Sequence, residues 1–431
     1  MKILKWLSPG MKIKRYILQF IGGIVLLIMG IMLCSMKEQV QSEATRIVVY
    51  SGSIFIIMGV YFVIRGVRKM IRSLTSLLLP QKEEGLVDFI YRKRKLATGP
   101  KIVVIGGGTG LSTLLRGLKE YTSNITAIVT VADSGGSSGR IRSELNELPP
   151  GDIRNCLVAL ADAEPLMGKL FQYRFKEGEG LTGHNFGNLF ITALSKITGD
   201  FEKAIKESSE VLAIRGQVIP STLDKVTLVA EYDNGDLGRG EAQIPKSGKP
   251  IRKVYLDPPN PRPPDEATNA IGRADLIVLG PGSLYTSVMP NLLIKGILKA
   301  VLDSSAVKVY VCNVMTEAGE TDGYSAYNHL DALTRHTDKD IVKYCLINTG
   351  RIPPEVLDKY KQEGAEPVRV DSNRIRKRNY LVIESEIISI TNFVRHDSKK
   401  LGKAIIALLA KTKGRTKDLG KRYGGREKIS C

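Results

Sequence analysis

The 431 residues carry a formal charge of +19, with 25% charged and 43% apolar residues, a globular composition with a basic excess. Residues 1–100 hold a net +11 and residues 411–431 a net +6, so the stretch between them is nearly neutral. A nucleic-acid-binding fold would carry its basic stripe on the folded body, whereas basic excess beside apolar segments and in a tail fits an anionic lipid surface. The five cysteines are widely spaced without a C-x-x-C pair and the four histidines are scattered, which argues against a disulfide framework or a zinc site.

Two uncharged apolar runs open the chain, at 16–36 and 47–64. At about 1.5 Å per helical residue each covers the roughly 30 Å hydrocarbon core of a bilayer. The first is too long for a signal peptide, and no small-residue cleavage pattern follows it. Lys2, Lys5, Lys12, Lys14 and Arg15 precede the first run, and Arg65, Arg68, Lys69 and Arg72 follow the second. The loop at 37–46 balances Lys37 and Arg46 against Glu38 and Glu43. The positive-inside rule therefore predicts a two-pass hairpin over 1–72, with both termini and the globular part in the cytoplasm. A basic linker at 73–100, a folded body at 101–410 and a disordered basic tail at 411–431 complete the expected organisation.

From residue 101 short β-branched runs (101–105, 125–130, 275–280, 307–313, 341–348) alternate with amphipathic stretches at 152–175, 184–213, 290–304, 325–336 and 397–412. Apolar runs without polar alternation suit strands covered on both faces. The expected fold is α/β, a Rossmann-like doubly wound, mostly parallel sheet preceded by two transmembrane helices. Residues 217–256 alternate around Asn234-Gly235, which predicts a small antiparallel insertion.

In such sheets ligands gather beyond the carboxyl ends of the strands. Gly106-Gly107-Gly108-Thr109-Gly110 joins the first strand to a helix, so its backbone can approach a phosphate at the helix N-terminus. Leu111 breaks the G-x-G-x-x-G pattern, and no lysine follows the last glycine as a P-loop requires. The loop after the second strand holds Asp133, Ser134, Gly135, Ser137, Ser138 and Arg140. There an aspartate can bind a metal, orient a hydroxyl or act as a base, and the Ser/Gly run with Arg140 or Arg142 can bind an anion. Asp152 either caps a helix or joins Asp133 as a catalytic candidate. His184, Asn185 and Asn188 follow in a glycine-flanked loop, and Gly280, Gly282 and Ser283 form a third wall after the 275–279 strand.

The motifs GGGTG-L, TVADSGGSSGR, PPGDIRN, GHNFGN, DLIVLGPGSLYTSVMPN and CNVMTEAGETDGY occur in this order. Together they resemble the bacterial gluconeogenesis factor family, a sister of the 2-phospho-L-lactate transferases, over roughly residues 100–410. The membrane hairpin lies outside that resemblance. The resemblance implies a Rossmann-like fold, binding of UDP-sugars such as UDP-N-acetylglucosamine, and a role in cell shape and in growth on gluconeogenic carbon sources. It also matches Tyr360 and Arg395 to positions linked to that binding. A tyrosine ring can stack on a base or sugar, and an arginine can fork onto a diphosphate. The related transferases carry adjacent aspartates after the second strand; here the pair is Asp133-Ser134.

The expected product is a UDP-sugar sensor or scaffold at the bacterial cell membrane, needing no cofactor. Membrane lipid and cell-wall or cytoskeletal proteins are its expected partners, with no nucleic acid, and oligomerisation is left open. The alternative is a transferase using Asp133 and Asp152 around Mg²⁺. Ser398, at a helix start beside Lys399 and Lys400, is the candidate phosphorylation site.

Overall fold

A strand covered on both faces needs an apolar residue at nearly every position, and such runs build the central sheet. In the computed structural model the described residues are 13–35, 42–78, 86–162, 165–390 and 393–412. The inter-helix residues 36–41 and the basic tail from 413 onward lie outside them. The chain divides into two compact units, Met1–Arg94 and Lys95–Cys431.

The first unit holds helix Ile13–Ser35, helix Ser42–Leu78 and most of helix Leu86–Ala97. The first two pack closely because small residues meet between them. A Cβ built on Gly30 would lie 2.7 Å from the Gly52 carbonyl oxygen, and one on Gly59 would lie 2.8 Å from that of Gly23. Such small-residue contacts are a favoured packing mode of helices in lipid. Large apolar side chains, among them Leu18, Ile28, Ile31, Ile54 and Ile57, point outward. Two stretches, Arg15–Ser35 and Ile47–Met70, are long and apolar enough to cross a membrane.

The second unit contains twelve strands among its described residues. Seven form one parallel sheet: β1 (Ile102–Gly106), β2 (Ile125–Val129), β3 (Gln217–Pro220), β7 (Leu276–Leu279), β8 (Val307–Val311), β9 (Tyr344–Asn348) and β10 (Leu381–Ser385). Their order is β10-β9-β8-β7-β1-β2-β3. The chain steps outward from β1 to β3, then crosses to β7 on the other side of β1 and steps outward again. The strand order thus switches between β1 and β7, whose ends are Gly106 and Leu279. The expected doubly wound sheet is present. So is the antiparallel insertion, a sheet of β4 (Thr227–Tyr232), β5 (Leu237–Arg239) and β6 (Ile251–Asp257), with Asn234-Gly235 at the β4–β5 turn. A two-stranded ribbon, β11 (Ile388–Ile390) with β12 (Val394–His396), adds a feature the sequence pattern did not suggest.

Helix Gly108–Leu118 packs against helices Gly151–Leu160 and Ser398–Thr412. The chain enters β1 through a clasp: Asn124 donates to the carbonyls of Ala97 and Gly99 (2.9 and 2.8 Å), and the Thr122 hydroxyl donates to Pro100 (2.9 Å).

Candidate functional site

Three helices begin at the carboxyl end of the sheet with no side chain capping them: Gly108–Leu118, Gly136–Leu145 and Gly151–Leu160. Uncapped N-termini leave backbone N–H groups and the positive end of the helix dipole for an anion. Glycine stands first in each helix. At two glycines the reason is close approach. A Cβ on Gly107 would sit 2.6 Å from Asp152 Oδ2, and one on Gly110 would sit 2.7 Å from the Pro281 carbonyl oxygen.

A cavity of about 360 Å³ opens at the switch between β1 and β7. Gly108, Thr109 and Gly110 form one side, and Pro281, Gly282 and Ser283 the second. The Gly282 amide is held by Asn313 Oδ1 at 3.2 Å, and Gly280 bends the second loop with φ of 75°. Tyr360 and Arg395, separated in sequence by helix Ser372–Lys377 and strands β10 and β11, close a third side together with Phe393 and His396. Arg395 is exposed and forms no ion pair among the described residues.

The remaining sequence candidates assemble next to this cavity rather than in its wall. Asp133 Oδ1 accepts the Gly135 amide at 2.8 Å, and Asp133 Oδ2 lies 2.9 Å from where a Gly151 Cβ would stand. Asp152 is not a cap, since Pro150 holds that position. Its carboxylate instead accepts the Gly108 amide, and loss of solvation with the neighbouring charge of Asp133 pushes its pKa up to about 6. Glu241 joins them from the insertion, pushed up to about 7 by burial, Asp133 and Asp152. Ser134 accepts the Ala242 amide at 3.1 Å, so it fastens the insertion to this loop.

Ser137 and Ser138 are buried in a polar network. Ser137 Oγ lies 3.2 Å from His184 Nδ1 and accepts the Asn185 amide and Asn188 Nδ2, each at 3.2 Å; Asn188 Nδ2 also reaches Ser138 Oγ at 3.4 Å. Arg140 closes the surrounding loop by donating to the Thr182 carbonyl at 2.8 Å. Arg142 turns to Thr227 in the insertion at 2.9 Å. Ser398 starts the last described helix outside the cavity wall, and Asp397 already accepts the amides of Lys399 and Lys400 there.

Four residues absent from the sequence reading belong to the site. Glu317 lines the cavity, accepts from Ser283, and is raised by burial; Glu241 joins the carboxylates; Phe393 and His396 come with the ribbon. The polar loop after β8 signalled Glu317 by its position only. Phe393 and His396 carried no signal, because the ribbon docks through long-range contacts. Among the described residues no three of His, Cys, Asp or Glu converge with metal-ligand geometry.

The family model described as 2-phospho-L-lactate transferase CofD matches residues 102–388. The gluconeogenesis factor of Bacillus subtilis is 49% identical over 72% of this chain and 98% of its own length. This chain belongs to the gluconeogenesis factor family, within the CofD superfamily. A Nostoc sp. relative is 46% identical over 93% of this chain and 91% of its own length. An alignment that takes in 93% of the chain includes most of the unit Met1–Arg94, so that unit has a counterpart in this relative. A crystal structure of a upf0052-family protein from Bacillus halodurans, 49% identical, superposes with a TM-score of 0.69 over 71% of this chain and 99% of its own.

Proposed function

We propose that this member of the gluconeogenesis factor family is a membrane-anchored UDP-sugar-binding protein. It supports cell shape and growth on gluconeogenic carbon sources by coupling precursor supply to cell-wall synthesis. The observation that carries the binding reading is the single cavity at the strand switch. It gathers the uncapped Gly108–Gly110 helix start, the Gly280–Ser283 loop, Tyr360 and the unpaired Arg395. A helix start and an arginine suit a diphosphate, and the polar walls suit a sugar. Titration calorimetry of the full chain in detergent with UDP-N-acetylglucosamine is expected to give saturable heat. Arg395→Ala is expected to weaken binding by about tenfold or more, as loss of a charge-assisted contact does. No heat with any UDP-sugar would sink the reading.

The anchor is the pair Arg15–Ser35 and Ile47–Met70, with outward-facing apolar side chains and basic flanks on what we take to be the cytoplasmic side. Protease protection in sealed membrane vesicles tests the topology. With the cytoplasmic face inward the folded unit should survive; digestion of that unit in intact vesicles would place it outside.

A second reading has one observation in its favour. Asp133 and Asp152 come together around Gly107 and Gly151. Mg²⁺ is commonly held by one or two carboxylates plus substrate phosphates, and this pair would supply the protein's share in a phosphoryl or phospholactate-type transfer. Incubation with nucleotide-linked donors and Mg²⁺, followed by mass spectrometry, separates the readings: an unchanged donor across a broad acceptor panel leaves binding alone.

A further inference from the structure

A two-stranded ribbon is barely stable by itself, and β11 and β12 pair through only three residues on each side. Yet Phe393, Arg395 and His396 on this ribbon form one side of the cavity. Something outside the ribbon must hold it in place. Its Ile388 and Val394 join Val314, Met315 and Val356 in one buried apolar cluster. The more specific tie is Tyr360. Its hydroxyl donates to the Val394 carbonyl oxygen at 3.0 Å and accepts the Val394 amide at 3.1 Å. A neighbouring strand would satisfy the same two groups. With its proton and an acceptor site both engaged, the hydroxyl serves the ribbon rather than a ligand.

The Tyr360 ring is also committed. It meets Phe393 edge to face, with centroids 6.3 Å apart and planes at 82°. Phe393 itself is 42% exposed, lines the cavity, and has the Arg395 guanidinium 6.0 Å from its ring centroid. An exposed ring beside a cation is the usual stacking surface for a nucleobase.

We propose that Tyr360 is a positioning residue that latches the β11–β12 ribbon through its hydroxyl, and that the ring of Phe393 is the platform for the planar base of a nucleotide ligand. The platform half rests on the nucleotide-binding reading above; the latch half does not. Tyr360 sets where Phe393 and Arg395 stand, and Phe393 makes the contact that a ring at position 360 would otherwise be assigned.

Two measurements on the full chain in detergent test this. Hydrogen exchange without ligand reads the latch. The Val394 amide should be protected in the wild type and lose protection in Tyr360→Phe, which keeps the ring; unchanged protection overturns the latch. Titration with UDP-N-acetylglucosamine and with UDP reads the platform. Phe393→Leu should weaken both by on the order of tenfold to a hundredfold, as loss of one base–aromatic stack does, and Phe393→Tyr should restore both. Tyr360→Phe should weaken binding nearly as much as Tyr360→Ala. Wild-type affinity in Tyr360→Phe combined with loss in Tyr360→Ala returns the role to the tyrosine ring, and wild-type affinity in Phe393→Leu removes the platform. A wild-type chain that binds neither compound overturns the nucleotide reading and the platform with it, while exchange at Val394 still decides the latch.

Discussion

Two polar clusters lie side by side at the carboxyl end of the sheet, and they use their hydrogen-bonding groups in opposite ways. Around Ser137, each hydroxyl and amide is satisfied by a neighbour: His184, Asn185 and Asn188 all close on one serine oxygen. Around Gly108–Gly110, no side chain caps the helix from the Gly107 position, Asp152 takes up the Gly108 amide alone, and Arg395 has no carboxylate to pair with among the described residues. Both segments read alike in sequence, as glycine- and serine-rich loops after strands. On the binding reading proposed above, such a loop serves a ligand where donors are left open, and acts as a structural clamp where they are not. The Asp133–Asp152–Glu241 carboxylates sit at the boundary between the two.

Substitutions can break or sharpen that contrast. The largest effect is expected from Gly110→Ala, because the added carbon meets the backbone of Pro281, which cannot swing aside. Forcing the two loops apart should lower UDP-sugar affinity by about a hundredfold, equivalent to about 2.7 kcal/mol, in a titration against the wild type. Retained affinity would mean that the loops do not form one site.

Asp152→Asn probes the boundary through pH. The folded-state pKa of about 6 lies above the ordinary 3.8, so the unfolded chain releases this proton first as pH rises. Its contribution is therefore fully present below about pH 4 and is lost as pH climbs through about 6. The isosteric amide cannot ionise. Thermal unfolding should show the variant equal to the wild type near pH 4 and more stable by about 2–3 kcal/mol at pH 7–8, where the wild-type carboxylate is charged in its buried site. A stability gap that does not change with pH would refute the assignment.

Ser137→Ala should do the reverse of Gly110→Ala. It removes the oxygen at the centre of the closed network and leaves buried donors unpaired, which costs about 1–3 kcal/mol in denaturant unfolding. Ligand affinity should stay within about threefold, well under 1.4 kcal/mol. A large affinity loss with normal stability would move Ser137 into the ligand site. The smallest change is expected from Ser398→Glu. Asp397 already occupies the helix start, so added charge there should shift the melting temperature by only a degree or two, within the range of about 0.5 kcal/mol typical of surface changes.

Much of this arrangement was legible beforehand, for a physical reason. Strands β1, β2, β7, β8 and β9 announce themselves because a doubly covered strand must be apolar throughout. The loops after β1 and β7 are rich in glycine because backbones approach there to within contact distance, as at Gly110 and Pro281. Strand β3, with only Gln217–Pro220, and edge strand β10 were too short or too mixed to stand out. The carboxylate cluster was legible only in part: Asp133 and Asp152 stood as candidates for one site, while Glu241 gave no signal. Asp133, Asp152 and Glu241 lie on three separate segments, and only the fold brings them together. Asp133 lacks an acid at the next position, Ser134, and its companions Asp152 and Glu241 come from other segments instead. Phe393 follows the same rule, since its value depends on a tyrosine thirty-three positions earlier.

The clasp at the entrance to β1 has a mechanical consequence. Asn124 and Thr122 grip Ala97, Gly99 and Pro100 at one end of a five-residue strand whose other end is Gly106. Any pull arriving from the amino-terminal side is loaded onto β1 along its length. Parallel neighbours flank it on both sides, so two rows of rungs share the load in shear rather than peeling one at a time. Tension arriving through Ala97–Pro100 and the ligand proposed for the glycine loop would thus act on opposite ends of the same short rod.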